Sequence, residues 1–447
     1  MIYPASGRRK RDYDRRVKTT RRGRIHPAWV VAALTLLALV AGAGFRSTTG
    51  ALFEPLESEF GWSRSGTSLA VTLNLVVYGL TAPFAAALME RVGIKRVVMA
   101  GLALTAIGSG LTVVMSAIWQ LWLLWGLFVG VGTGVMALVF GSVVANRWFV
   151  KRRGLVMGIF SGGNACGQLI FLPLIVSLAH HPGWRAAALV TALVAAAIIP
   201  FFALYFSDHP RDRGLRAYGE DPENPSPKPA KPSVSAGRMA LRVLRESLNR
   251  RAFWILLFTF CVCGWSTNGL IQTHFIPATH DHGMPATTAA GLLALIGVFD
   301  LVGTVASGWL TDRINPAVLL VFYYALRGLS LVFLDALLGS TIEPPLWAFI
   351  VFYGLDWVAT VPPTVALCRE HFGPECASVV FGWVFASHMV GAGVAAVTAG
   401  WIRESTGSYA SAWTLAAILC WLAAASLFLL RRAPRNEELR GDRLPVS

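Results

Sequence analysis

The chain has 447 residues, 55% of them hydrophobic and only 14% charged, with a mean hydropathy of +0.57. A soluble fold of this length cannot bury so much apolar surface, so a membrane protein is the class that fits. The formal charge of +15 would suit a nucleic-acid binder, but the cations gather in the tails and in alternate loops, where membrane topology puts them, and nucleic acid is not expected as a partner.

The chain opens with a tail, residues 1–27, that carries ten Lys/Arg between Arg8 and Arg24. The apolar segment that follows is longer than a signal-peptide core and has no small-residue cleavage site at the right place, so an uncleaved basic tail is expected. Windows of about 20 apolar residues then mark about twelve spans. Six lie near 28–50, 66–88, 97–117, 120–145, 155–179 and 186–206, and six near 253–276, 287–310, 317–338, 346–368, 378–401 and 411–430. The expected domains are a first six-helix bundle over 28–206, a linker over 207–251, a second bundle over 252–430 and a tail over 431–447. Prolines 222, 225, 227, 229 and 232 predict a flexible linker. Its last part, Arg238 to Arg251, mixes Met239, Leu241, Val243, Leu244 and Leu248 with arginines and reads as a short interfacial helix.

Loop charge gives the orientation. Arg91, Lys95 and Arg96, then Arg147 and Lys151 to Arg153, the linker, Arg313, Arg369 and both tails form one set; Glu54, Glu57, Glu59, His180, His181, Asp281 and Glu343 dominate the other. Positive loops stay inside, so both termini of this multi-pass protein are expected in the cytoplasm. The six cysteines lie in or beside apolar helices without a CxxC pair, which reads as packing, with no metal and no cofactor expected.

Two features mark the inner side. After the second span comes Ala86-x-x-x-Glu90-Arg91-x-Gly93-x-Lys95-Arg96, and after the eighth comes Gly308-x-x-x-Asp312-Arg313: an acid–base pair at equivalent places in both halves, suited to a tight turn that pairs with a neighbouring helix end. The stretch Trp148 to Gln168 joins a basic turn to a helix in which Gly154, Gly158 and Gly162 make a smooth stripe for close helix approach, and Asn164 and Gln168 share one face.

The paired loops resemble the cytoplasmic signature of the major facilitator superfamily, Gly-x-x-x-Asp-Arg-x-Gly-Arg-Arg. The first copy has Ala86 and Glu90 for Gly and Asp; the second keeps Gly308, Asp312 and Arg313 but ends at Asn315-Pro316. Phe149, Lys151-Arg152-Arg153, Leu155, Gly158 and Gly163 are similar to the fifth-helix signature of the monocarboxylate transporters and their bacterial relatives in the oxalate/formate antiporter branch. Gly61-Trp62-Ser63-Arg64 and Gly183-Trp184-Arg185 are familiar in bacterial members. The acidic-Gly-Gly-aromatic-Gly-Trp opening of animal carriers is absent, since the chain reads His26-Pro27-Ala28-Trp29, which points to a bacterial member. The resemblance implies an all-α fold of twelve transmembrane helices in two six-helix bundles around a cavity that opens alternately to either side. In that family the first, second, fourth and fifth helices of each half line the cavity most.

A charge at mid-bilayer costs about 2.5 to 3.5 kcal/mol on insertion scales, so each should be paired or functional. Arg46 suits carboxylate capture, because guanidinium offers two parallel donors at any working pH, and monocarboxylate carriers also use a cation in the outer part of this helix. Asp300 resembles the aspartate of the family's eighth helix, but Thr304 stands where an arginine usually follows. Arg327 is expected to pair with either Asp300 or Asp356. A carboxylate out of water holds a proton more readily, and imidazole changes charge near neutral pH, so Asp300, Asp356 and His388 are the candidates for proton coupling. His388 could equally touch substrate or pack. Asn74, Tyr78, Asn164, Gln168, Asn268 and Gln272 are candidates to hold substrate oxygens, or else join helices. His274 and the His280-Asp281-His282 loop read as an outer gate or plain loop rather than a metal site.

The expected function is secondary transport of small organic anions, monocarboxylates above all, by proton symport or anion exchange, with substrate, protons and the bilayer as partners. An exporter of amphipathic drugs by proton antiport is the alternative, disfavoured because Gly162 is followed by Gly163 where exporters have Gly-Pro. Acids left free in the cavity would favour it; acids neutralised by Arg327 favour anions. A ligand sensor lacks an output domain, and an enzyme lacks a nucleophile elbow, HExxH or phosphate loop.

Overall fold

The computed structural model describes residues 26–51, 53–178, 183–221 and 234–430. The first half holds α1 (Pro27–Ala51), a short α2 (Phe53–Phe60), α3 (Arg64–Val92), α4 (Ile94–Thr112), α5 (Ile118–Trp148), α6 (Arg153–Leu178) and α7 (Trp184–Tyr205). After the linker helix α8 (Ala236–Leu248) come α9 (Arg251–Asp281), α10 (Ala286–Thr311), α11 (Pro316–Leu337), α12 (Pro344–Phe372), α13 (Ala377–Thr406) and α14 (Ala410–Leu427). Among the described residues, eleven of these are long and apolar enough to cross a membrane. At 26 residues α6 is about 39 Å long, ample for the hydrocarbon core, which makes twelve.

Local chemistry sets the helix ends. Ser63 caps α3 by accepting from the Gly66 amide, and Gly93, at φ +107°, turns the chain from α3 directly into α4. Asp208, just past α7, receives the Lys95 amide at 2.7 Å and fills the space beside Gly93, where a Cβ would strike it. Further on, Tyr218 exchanges backbone hydrogen bonds with Trp148 and Val150 at 2.8 and 2.9 Å. The start of the linker is therefore docked, contrary to the expectation of a flexible segment throughout; the prolines that argued for flexibility lie outside the described residues. The helix expected near Arg238 is α8, capped by Ser235. It buries Met239, Ala240, Val243 and Ser247 and exposes Leu241 and Leu248. Trp383 of α13 donates to its Ala240 carbonyl at 3.1 Å.

Two seams join the halves. Gly154, Gly158 and Gly162 of α6 lie against Gly308, Thr304 and Leu301 of α10 so closely that a Cβ at any of the three would collide. The sequence stripe is thus a packing face, and Gly163 and Gly167 serve α1 in the same way. In the other seam Gly382 of α13 abuts Pro83 of α3, Gly79 abuts Met389, and the rings of Tyr78 and Phe385 meet edge-on at 5.7 Å.

Candidate transport path and charged core

The core of the second half follows from two prolines. Pro362 and Pro363 have no N–H to offer the carbonyls of Val358 and Ala359, so α12 cannot run through as a regular helix. It breaks after Asp356 and resumes at Val361. Side chains close the gap. Ser307 donates to the Ala359 carbonyl at 2.5 Å. Arg327, fully buried on α11, donates through Nη2 to the carbonyls of Asp356 and Trp357 at 2.5 and 3.0 Å. Its Nε meets Asp356 Oδ2 at 2.6 Å, and its Nη1 reaches Ser266 Oγ and Cys263 Sγ at 3.3 and 3.4 Å. Arg327 therefore takes Asp356 as a buried ion pair, while Asp356 Oδ1 is buried without a hydrogen-bond partner.

Asp300 sits on the other side of the same break. Its Oδ1 accepts from Thr304 at 2.7 Å and from the freed Val358 amide at 2.9 Å, and its Oδ2 is buried without a partner. Thr304, standing where the family has an arginine, supplies a hydroxyl in place of a cation. The four ionisable residues singled out in the spans of the second half divide: Asp300, Arg327 and Asp356 gather at the break. His388, 8% exposed, lies between the rings of Phe260 at 4.9 Å and Phe385 at 6.0 Å, with its Nδ1 unpartnered.

The predicted amides separate in the same way. Asn74 is buried and donates to the Trp125 carbonyl at 2.7 Å, within a π-helical section of α5, Trp122–Val129, so its amide joins two helices. A second π-helical section, Trp265–Ile271 of α9, contains Asn268, and the Tyr353 hydroxyl covers its Ser266 carbonyl at 2.8 Å. Such sections shift the hydrogen-bond ladder and recur where helices carry function. Asn164 and Asn268 are part-exposed, and among the described residues neither amide has a hydrogen-bond partner; Gln272 is exposed and Tyr78 buried in the α3–α13 seam. Asn164 lies two residues past Gly162, the last of the three glycines that face α10. Arg46 lies in the last part of α1 and Gln168 in α6, but both side chains fall outside the described residues.

Both acid–base loops stand where α3 and α10 end. Asp312 crosses the α6–α10 seam and caps α6, accepting from the Gly154 and Leu155 amides at 2.8 and 3.0 Å, an anion on the positive end of a helix. Arg313 stacks on Trp309 at 3.9 Å. Glu90 instead pairs with Arg147 of α5 at 2.6 Å, inside its own half, while Arg91 is exposed. The cross-link there falls to Asn146, which meets Ser378 at 3.3 Å and Arg369 at 3.2 Å. Sequence reading passed over Asn146 and Ser307. The signal that points to Ser307 is Pro362-Pro363, which announces a broken helix whose carbonyls need donors.

At the opposite face, ion pairs tie helix ends within each half. Arg185 holds Glu59 at 2.6 and 2.9 Å and Arg403 holds Asp281 at 2.7 and 3.0 Å. His274 is buried, with Nε2 on the Ala396 carbonyl at 2.9 Å and Nδ1 at 3.3 Å from the Tyr409 hydroxyl.

A family profile described as Major Facilitator Superfamily matches residues 34–396. The chain belongs to the major facilitator superfamily. Among its relatives is an uncharacterized MFS-type transporter, YcxA, of Bacillus subtilis, 23% identical over 401 residues, covering 85% of this chain and 90% of the relative. Monocarboxylate transporter 13 of Bos taurus is 27% identical over 395 residues, covering 87% and 85%. Of solved structures, a double-tryptophan mutant of XylE matches with a TM-score of 0.71 at 12% identity, covering 91% of this chain and 96% of that one. The human organic anion transporter MFSD10 matches at 0.67 and 15% identity, covering 90% and 100%. This superfamily member is accordingly a multi-pass membrane transporter of twelve helices in two bundles, related at low identity to monocarboxylate transporters, and not an enzyme.

Proposed function

We propose that the transporter carries small organic anions, monocarboxylates above all, across a bacterial inner membrane, by proton symport or anion exchange. Both termini lie in the cytoplasm, and the bundles span about 28–206 and 252–430, with the long basic linker between them. The protein works as a monomer. Arg46 captures the carboxylate, with Asn164, Gln168, Asn268 and Gln272 as neighbours that hold its remaining oxygens.

The observation that carries this reading is the pairing of Arg327 with Asp356. It neutralises one of the two acids at the α12 break and leaves no free carboxylate pair there to attract a cation, which favours an anion over an amphipathic drug. Asp300, with one oxygen on backbone and hydroxyl and the other bare, is the group that exchanges the coupling proton. Both seams are closed at the face with the basic loops, so the conformation faces outward, and Asp312 and Asn146 steady it.

Uptake of radiolabelled carboxylates into proteoliposomes tests the proposal. Arg46→Ala should abolish uptake while the purified protein keeps its thermal stability. Unchanged uptake of every carboxylate tried would remove Arg46 from the site and with it the anion reading.

A further inference from the structure

Beside the α6–α10 seam is a cavity of about 270 Å³ lined by Arg152, Leu155, Trp309, Asp312 and Arg313. Its walls come from both halves, two residues before and in α6, three from the end of α10. Asp312 has both oxygens committed to the α6 amides. The two guanidiniums are therefore in excess. The Arg152 guanidinium has no hydrogen-bond partner among the described residues, and the residue stands in the left-handed region at φ +61°, which a non-glycine residue rarely adopts. Arg313 is laid flat on Trp309, with one donor on the Trp309 carbonyl at 2.9 Å. Trp309, 45% exposed, and Leu155 make the remaining wall apolar, at the level where α6 begins.

We propose that this cavity holds the phosphate of an anionic phospholipid, and that the bound lipid keeps the seam closed. Two planar guanidinium forks suit phosphate oxygens, and the indole at the membrane interface suits the glycerol and upper acyl chain that a free anion lacks. Because the walls belong to different halves, the site exists only while α6 and α10 touch. A ligand that binds one of two conformations shifts the population toward it. Lipid charge at this face thereby sets how readily the basic-loop side opens, whatever the substrate.

Hydrogen exchange on the full chain in nanodiscs tests this at the Gly154 and Leu155 amides, which Asp312 caps only when the seam is closed. Replacing part of the phosphatidylcholine by phosphatidylglycerol should slow their exchange by on the order of tenfold. Arg152→Gln with Arg313→Gln should abolish the response, and Arg152→Lys with Arg313→Lys should keep part of it. An equal response in the Gln double variant overturns the proposal. So does loss of the response in Arg238→Gln with Arg245→Gln, which would place the lipid on α8. Equal protection by inorganic phosphate in phosphatidylcholine discs would assign the cavity to a free anion and overturn the lipid.

Discussion

In the first half the irregular section of α5 presents a carbonyl at Trp125, and a neutral amide, Asn74, covers it; in the second half the break in α12 exposes several groups, and Arg327, held by Asp356, covers them together with Asp300 and Ser307. Both arrangements satisfy buried backbone. Only the second places titratable groups inside the bundle while doing so. A neutral repair has one protonation state and holds still, whereas a carboxylate with one bare oxygen can gain or lose a proton and change what it binds. The difference is why the proposed coupling proton is placed in the second half rather than at Asn74.

The largest expected effect comes from breaking the charged repair. Arg327→Ala leaves Asp356 buried without its partner and should cost about 3 to 5 kcal/mol, read as a collapse of thermal stability in detergent. Replacing both, Arg327→Met with Asp356→Leu, should recover part of that stability, because the uncompensated charge is gone. Asn74→Ala strands a single neutral carbonyl, so its cost should be about 1 to 3 kcal/mol. Equal losses for Asn74→Ala and Arg327→Ala would erase the contrast between the halves.

Asp300→Asn keeps an acceptor for Thr304 and Val358 and should change stability by about 1 kcal/mol or less, while uptake loses its dependence on a pH gradient. The smallest effect belongs to the exposed pair at the face opposite the basic loops. Hydrogen bonds from Arg185, then Trp184, hold the Glu59 carboxyl below its usual range. The small stability it contributes is present above the ordinary carboxylate value and disappears as pH falls through the lowered one. Glu59→Gln should flatten that part of a thermal-stability profile below neutral pH and leave the rest unchanged.

Much of the fold was legible in advance because its signals are local. Apolar runs of membrane length, the repeated acid–base loop and the i, i+4, i+8 glycines of α6 each depend on spacing along one segment, and spacing on a helix fixes which residues share a face. The site was legible only as a list. Arg327 could reach either aspartate until the Pro362-Pro363 break turned the carbonyls of Asp356 and Trp357 toward it. Asn74 looked as free as Asn164 until the π-helical section of α5 set the Trp125 carbonyl against it. Glu90 and Asp312 occupy equivalent places in the repeat, yet Arg147 draws the first into its own half and the α6 amides draw the second across the seam.

The sequence by itself determined that this protein crosses the membrane twelve times in two related sets, and which face of α6 another helix could approach. Hydropathy and periodicity carry that information within each segment. Only the tertiary structure decided which acid is neutralised, which amide is spent on backbone, and which loop acid bridges the halves. Those choices depend on the rotation of helices far apart in the chain and on carbonyls released where a helix breaks, and no single segment contains both partners.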